Sequence, residues 1–458
     1  MVSLIHRFPR FCTLLALLCL ALGQARAVTL KEARQLYATG EYAKAIKASE
    51  GAIAANEYDS GWRLLLLRAR LTTGEYPEAK RFATQLLEDY RYRYNAEALW
   101  LFHLAYEATG DTQQSGKMLQ IIIEFLNGQR AISDENTLVF IGRALLKAAV
   151  SDPKQVKENL FDRVLQSDPE NREALLATGE LALAKRDFKL AGSTFTRAIG
   201  HYPEDADLLY GLAKAYAESD PSQMEEPLHT AMFTNPDHIP SLLLQAHNQV
   251  DAEQYETAKG ILKAIFKINP HHAGSWALQA AIHTVRNEPD KARAARKSGL
   301  KYWKTNPLVD YEIGTKLSSK YLFTEGAAHQ RQALAFSKDY ISAKTQLAQD
   351  LLRLGQDEEG WKLAGEAHDA DGYDVTTFNL LTLHDTLKKY VTIDRNGFLL
   401  RMTRDEAALY GDEAIDLLTE ARELFSAKYD TQIEDPVIVE IFPEKKDFAV
   451  RTFGIPGG

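Results

Sequence analysis

At 458 residues the chain is too long for a single compact core, and its length alone suggests two to four domains. Hydrophobic residues at 45% and charged residues at 26% sit near globular averages, which excludes wholesale disorder. A formal charge of −9 argues against a chain whose main task is neutralising phosphate backbones, so nucleic acid is not expected as a partner.

Residues 1–27 read as a signal peptide. Arg7 and Arg10 give a basic start, Phe11 to Leu22 an apolar run, and Ala25-Arg26-Ala27 an A-x-A cleavage site. About twelve apolar residues are too few to cross a ~30 Å hydrocarbon core, so export with cleavage is expected rather than anchoring. Both cysteines, Cys12 and Cys19, lie in this leader, which leaves the remainder without disulfides or cysteine metal sites. Leu18, before Cys19, departs from the small residue that normally precedes a lipid-anchor cysteine. No later stretch is long and apolar enough to span a bilayer. The expectation is a periplasmic or secreted protein with no membrane span after signal removal.

From Val28 onward the chain repeats itself. Pro169 and Pro203 are 34 residues apart, as are Pro236 and Pro270, while Pro203 and Pro236 are 33 apart. Gly40-Glu41-Tyr42-Ala43-Lys44-Ala45 returns 34 residues later as Gly74-Glu75-Tyr76-Pro77-Glu78-Ala79. One unit reads Leu175, Gly179, Phe188, Ala191, Phe195, Ala198 and Pro203. These residue types and intervals resemble the tetratricopeptide repeat, and about ten such units fit residues 28–374, with small insertions near Ser151 and Trp303. The resemblance implies an all-α fold, a right-handed superhelix (α-solenoid) of antiparallel helix pairs. Small residues (Gly179, Ala191) sit where helices approach closely, large ones (Phe188, Phe195) fill the space beside them, and the proline ends the second helix. Pro227 falls inside an expected second helix, Glu218-Ser219-Asp220-Pro221-Ser222 reads as a longer loop, and Pro289 suits a first helical turn. Residues 375–390 read as a capping helix that loses the pattern.

After Tyr390 the helical period stops, and residues 391–458 read as a small, incomplete α/β segment. Tyr390–Asp394 and Phe398–Met402 are expected strands joined at Asn396-Gly397; a helix from Asp405 to Lys428 with Thr403 as N-cap follows. Pro436 to Phe442 is a third expected strand, and Asp447 to Phe453 one or two helical turns. Three strands and one good helix over ~70 residues are a poor basis for an independent core. The segment resembles the opening of the peptidase MA-like (gluzincin) domain, on Phe398-Leu399-Leu400-Arg401, the long helix, Val437-Ile438-Val439-Glu440-Ile441-Phe442-Pro443, and Asp447 to Gly454. In that family a zinc-binding H-E-x-x-H helix and a downstream glutamate would come next, two histidines holding the metal and the glutamate activating its water. Neither is present, so no cofactor is expected in this chain, and zinc belongs to a longer parent.

Catalytic chemistry finds no other anchor. No H-E-x-x-H, G-x-S-x-G, G-x-x-x-x-G-K-[ST] or G-x-G-x-x-G occurs. His271-His272 read as a solvated inter-repeat turn, and His247 and His283 as first-helix surface or packing residues. Glu225-Glu226 and Glu358-Glu359 read as solvated faces, and Tyr42, Tyr76, Phe188, Phe195 and Tyr255 as repeat core. By position within their units, Tyr210, Lys214, His247, Tyr311 and Arg353 are expected to point from first helices into the concave groove. The resemblance implies that this groove binds an extended peptide or a partner helix. Basic residues do not recur at equivalent inner positions, which weakens any analogy to repeats that clamp a C-terminal carboxylate. The leading expectation is thus an exported scaffold that binds protein or peptide, the N-terminal part of a longer metalloprotease-like protein. The alternatives are a zinc metallopeptidase whose catalytic motif lies beyond this chain, and a structural or assembly factor of the cell envelope.

Overall fold

A computed structural model describes residues 28–128, 134–434 and 436–456. The expected leader, with Cys12 and Cys19, and the terminal Gly457-Gly458 lie outside the described residues. The fold is an all-α tetratricopeptide-type solenoid followed by a small three-stranded sheet. The chain divides into two compact units, residues 1–69 and 70–458.

In the first unit, helices Leu30–Ala38 and Tyr42–Ala54 form the opening pair. Thr29 begins it with a capping box: its hydroxyl accepts from Glu32 N at 3.3 Å while Glu32 Oε2 accepts from Thr29 N at 2.7 Å. Ala33, Trp62 and Leu65 form the buried core, with Leu30, Tyr37 and Ile53 packed around them.

The second unit continues the pairing. Its first helices include Ala96–Glu107, Glu135–Lys147, Arg172–Ala184, Ala206–Ser219, Ile239–Asp251, Ala273–Val285, Pro307–Ser319 and Ile341–Arg353. Counting the opening pair as the first repeat, these begin the third to the tenth. The second helices of the fifth, seventh and ninth repeats are Phe188–His201, Tyr255–Ile268 and Phe323–Phe336. The second helix of the fifth repeat stops at His201, just before Pro203, and two residues after Pro169 and Pro203, Asn171 and Asp205 cap the next helix, accepting from Ala174 N at 3.0 Å and Leu208 N at 3.2 Å.

Phe195 shows why the pattern holds. Its fully buried ring lies between two first helices, at Gly179 of its own repeat and Gly211 of the next. A Cβ on either glycine would fall 2.4 or 2.3 Å from ring carbons. Pro227 does not interrupt a helix, because the chain runs through Ser219, makes a 3-10 turn at Pro221–Gln223 and restarts at Glu225. That places Pro227 in a first turn, where its missing donor costs nothing. The insertion near Ser151 is taken up by a short helix Pro153–Val156 and a π-helical turn Lys157–Phe161.

Within this unit the coil returns on itself. Loops inside repeats meet loops that follow repeats five or six places on. Thr72 and Tyr76 of the second repeat take hydrogen bonds from Asn269 Nδ2, after the seventh, at 3.1 and 2.9 Å. Gly110 of the third repeat lies under Trp303, after the eighth. Lys185 of the fifth pairs with Asp371, after the tenth. Asp152, in the fourth, accepts from Tyr373 Oη at 2.9 Å.

The capping helix spans Val375–Leu387. β1 (Val391–Arg395) pairs antiparallel with β2 (Phe398–Met402), and β3 (Val437–Glu440) pairs parallel with β2, the helix Arg404–Tyr429 forming the crossover. One sheet face buries Phe398, Leu400 and Met402 against Ile415 of that helix. On the other face, β3 meets the tenth repeat, with Ile438 over Gly355. Glu440 binds Arg401 at 3.1 Å and Arg451, both of which also face Asp357 of the tenth repeat. Val450 packs with Leu352, Leu380 and Leu383. The segment borrows its second core from the last repeat, which answers the shortage of apolar surface visible in its sequence.

A candidate binding lumen

The first helices turn one stripe inward, at about the fifth, ninth and thirteenth residues of each helix, the i, i+4 spacing of a single helical face. In the sixth repeat this stripe holds Tyr210 and Lys214, and in the seventh, His247. In the ninth, Tyr311 leads the stripe, with Glu312 and Lys316 beside it.

Helix packing brings these together. In the eighth repeat, Ala277, Ala280 and Ala281 pack against Val309, Ile313 and Leu317 of the ninth. Such small side chains let two first helices approach closely and sharpen the curvature there. Lys316 then reaches back two repeats to Asp251, at 2.8 and 3.0 Å, and Lys320 Nζ donates to Asp251 O at 2.9 Å.

Electrostatics ties the cluster further. Glu312 faces Lys214, three repeats away, as well as Lys316; burial raises its pKa and the two lysines oppose the rise. The Tyr210 hydroxyl raises the pKa of Lys214, burial opposes this, and Glu312 adds to the rise. His247 keeps part of its surface open but is walled by protein, and burial, then Lys316 and Lys214, holds its pKa well below the usual histidine range. It is a neutral imidazole at neutral pH. Burial, then Glu312, raises the pKa of Tyr311, whose ring meets Tyr340 edge-on at 5.4 Å.

Glu107 connects this cluster to a neighbouring cavity of about 680 Å³. Its charge acts on Tyr340, and it pairs with Lys147 at 2.9 Å. The cavity is lined by Trp100, Arg143, Lys147, Glu180, Lys185 and Tyr373, among others, with Arg143 and Glu180 paired at 3.1 Å.

Four of the five residues expected in the groove, Tyr210, Lys214, His247 and Tyr311, therefore meet in one lumen. Arg353 stands apart. Its guanidinium lies over the Phe323 ring at 5.2 Å and donates to Thr452 O, so it faces the terminal segment. Burial, then Arg451, lowers its pKa. Sequence reasoning missed Glu312, Lys316, Asp251, Tyr340 and Glu107. Inward helical spacing alone would have nominated Arg143 and Glu180, at the ninth positions of their helices. The Lys316–Asp251 contact had no sequence signal, because it depends on curvature.

Other titratable clusters serve repeat packing. Arg172 binds Asp205 and Asp207, each at 2.6 Å, and His238 reaches Asp207 at 3.1 Å. The buried Asp310 accepts from Arg296 at 2.8 and 2.7 Å and pairs with His329 at 2.7 Å. His271 and His272 are not simply solvated: His271 meets Tyr302 edge-on at 4.9 Å, and His272 Nδ1 accepts from Ser275 N at 3.2 Å. Among the described residues, no group of three or more His, Cys, Asp or Glu is arranged to hold a metal ion. No helix among them is long and apolar enough to cross a membrane.

The family model for the tetratricopeptide repeat matches residues 158–206. No curated protein matches the sequence. Among solved structures, the chain is similar to yeast Tom70 at 14% identity and a TM-score of 0.38, over 79% of this chain and 88% of that one. It is also similar to a human IFIT1 dimer with m7Gppp-AAAA, at 16% identity and a TM-score of 0.38, over 72% of each chain. A monomeric IFIT1 mutant with Gppp-AAAA gives 16% and 0.37, over 72% of this chain and 73% of that one.

Proposed function

We propose that this chain is a binding scaffold whose lumen grips an extended segment of a protein or peptide. The observation that carries the reading is charge matching. Four lumen cations are each set against a carboxylate: Lys147 with Glu107, Arg143 with Glu180, Lys316 with Asp251, and Lys214 opposite Glu312. Phosphate binding needs surplus positive charge, which this pairing does not supply. Backbone amides and carbonyls, by contrast, can hydrogen-bond to carboxylates, ammonium groups and the Tyr311 and Tyr340 hydroxyls together. Polypeptide is thus the favoured ligand, and nucleic acid the disfavoured one.

The proposal includes export to the periplasm or beyond, on the leader-like residues 1–27. It also includes a zinc-peptidase context, on the resemblance of the terminal segment to the start of a peptidase MA-like domain. The docking of that segment on the tenth repeat supports the pairing of a substrate-recruiting array with such a domain.

The test is fluorescence anisotropy with labelled, reduced and alkylated α-casein as an unfolded polypeptide. Wild-type chain binds it, and the Lys214→Ala/Tyr311→Ala variant binds roughly tenfold more weakly, as expected when ~1.4 kcal/mol of contact is lost. Equal affinity in the two proteins, or no binding by either, counts against the reading.

A further inference from the structure

The contacts that close the coil are not scattered. Four consecutive intra-repeat loops, from the second to the fifth repeat, face the loops that follow the seventh, eighth and tenth, the last of these meeting two of them. The resulting seam is polar and aromatic. Asn269 bonds to Thr72 and Tyr76, and Tyr302 meets Tyr76 edge-on at 5.7 Å. Trp303 covers Gly110, Lys185 pairs with Asp371, and Tyr373 bonds to Asp152.

Two of these contacts are made where the sequence breaks its own period. The insertions near Ser151 and Trp303 supply Asp152 and Trp303. A 34-residue repeat needs neither residue for stacking; Asp152 caps the short helix Pro153–Val156 and also reaches the seam, and Trp303 covers Gly110. The wall between successive turns is therefore a built feature, and its closing removes the sideways route that an open groove would offer a ligand.

We infer that the lumen of residues 70–458 takes an unfolded polypeptide by its free end, threaded along the bore, and excludes folded domains and closed loops while the seam is shut. This rests on the lumen reading above and adds the class of ligand, an unstructured chain with an accessible terminus.

The test uses the full chain with Cys12 and Cys19 replaced by serine and a single reporter, His247→Cys, in the lumen. Two maleimides are compared, one at the end of a linear polyethylene glycol and one on the surface of folded ubiquitin. The linear reagent is expected to label the protein, and the ubiquitin reagent to do so at least roughly tenfold more slowly. Opening the seam with Trp303→Ala/Asp371→Lys, or more mildly with Lys185→Glu alone, should bring the ubiquitin reagent up to the linear rate. Circular dichroism confirms that helicity is retained.

Equal rates for both reagents on the closed protein would overturn the inference, as would a linear reagent that fails to react or a seam variant that leaves the ratio unchanged. These outcomes are separable from the casein experiment. Casein binding sensitive to Tyr311 with no reagent discrimination removes threading and keeps the lumen. Discrimination without casein binding removes the proposed ligand and keeps the seam.

Discussion

Replacing Gly211 by alanine sets two effects of known size against each other. In a helix interior, alanine is favoured over glycine by ~1 kcal/mol, so propensity alone stabilises the variant. Against this, the new Cβ would lie 2.3 Å from two carbons of the Phe195 ring, where ordinary contacts begin at 3.4 Å. The ring has to retreat by about 1 Å, and its other side is closed by the backbone at Gly179, whose own Cβ position is 2.4 Å away. Overpacking of a ring pinned from both sides costs ~1–3 kcal/mol, at the upper end when neither wall can give. The expected net result is a loss of about 2 kcal/mol for Gly211→Ala, read as a lower urea midpoint and as faster amide exchange in residues 188–219. Gly260 supplies the control: it is helical with nothing within 4 Å of its Cβ position, so Gly260→Ala should raise the midpoint. Adding Phe195→Leu should relieve the clash and recover part of the loss. A Gly211→Ala midpoint raised as much as that of Gly260→Ala would refute the packing argument.

Two further expectations follow from buried charges. Asp350 is 1% exposed, with Gln346 Nε2 donating to it at 2.9 Å, and burial raises its pKa to about 7. The folded chain then holds a proton that the unfolded chain gives up near 3.8, so stability falls as pH rises from about 4 to about 7. Asp350→Asn should leave the urea midpoint nearly unchanged at about pH 4, and should stabilise the protein at pH 8 by up to ~4 kcal/mol; a gain of equal size at both pH values would show that titration is not its source. Glu440 is the shared acceptor of Arg401 and Arg451, and Glu440→Ala should cost ~3–5 kcal/mol by leaving two guanidinium groups short of a partner. Limited proteolysis should then release residues 391–456 while the repeats persist; simultaneous loss of both would show that the junction does not hold the segment separately.

The repeat architecture was legible because its determinants are local and periodic. Gly179, Phe195 and Pro203 each do one job, and the recurrence of like residues at their spacing in other units reveals it. The element ends were near misses of ordinary kind. The terminal helix runs Arg404–Tyr429 rather than Asp405 to Lys428, and the cap ends at Leu387 rather than Tyr390. The three strands were visible in alternating apolar runs and the Asn396-Gly397 turn. Arg353 was misjudged for a physical reason: its inward position is overridden by Thr452, which lies 99 residues further along the chain. The seam escaped notice because residues about 190 apart, such as Asn269 and Tyr76, carry no mutual periodicity. The insertions were its only trace, and they read as irregularities.

The cluster of Asp357, Arg401, Glu440 and Arg451 has a mechanical meaning. Four charges shared among the last repeat, two strands and the final helix act as a weld rather than a hinge. The sheet cannot rotate independently of the tenth repeat. Any event that tightens or relaxes the coil at the tenth repeat therefore carries the whole sheet with it.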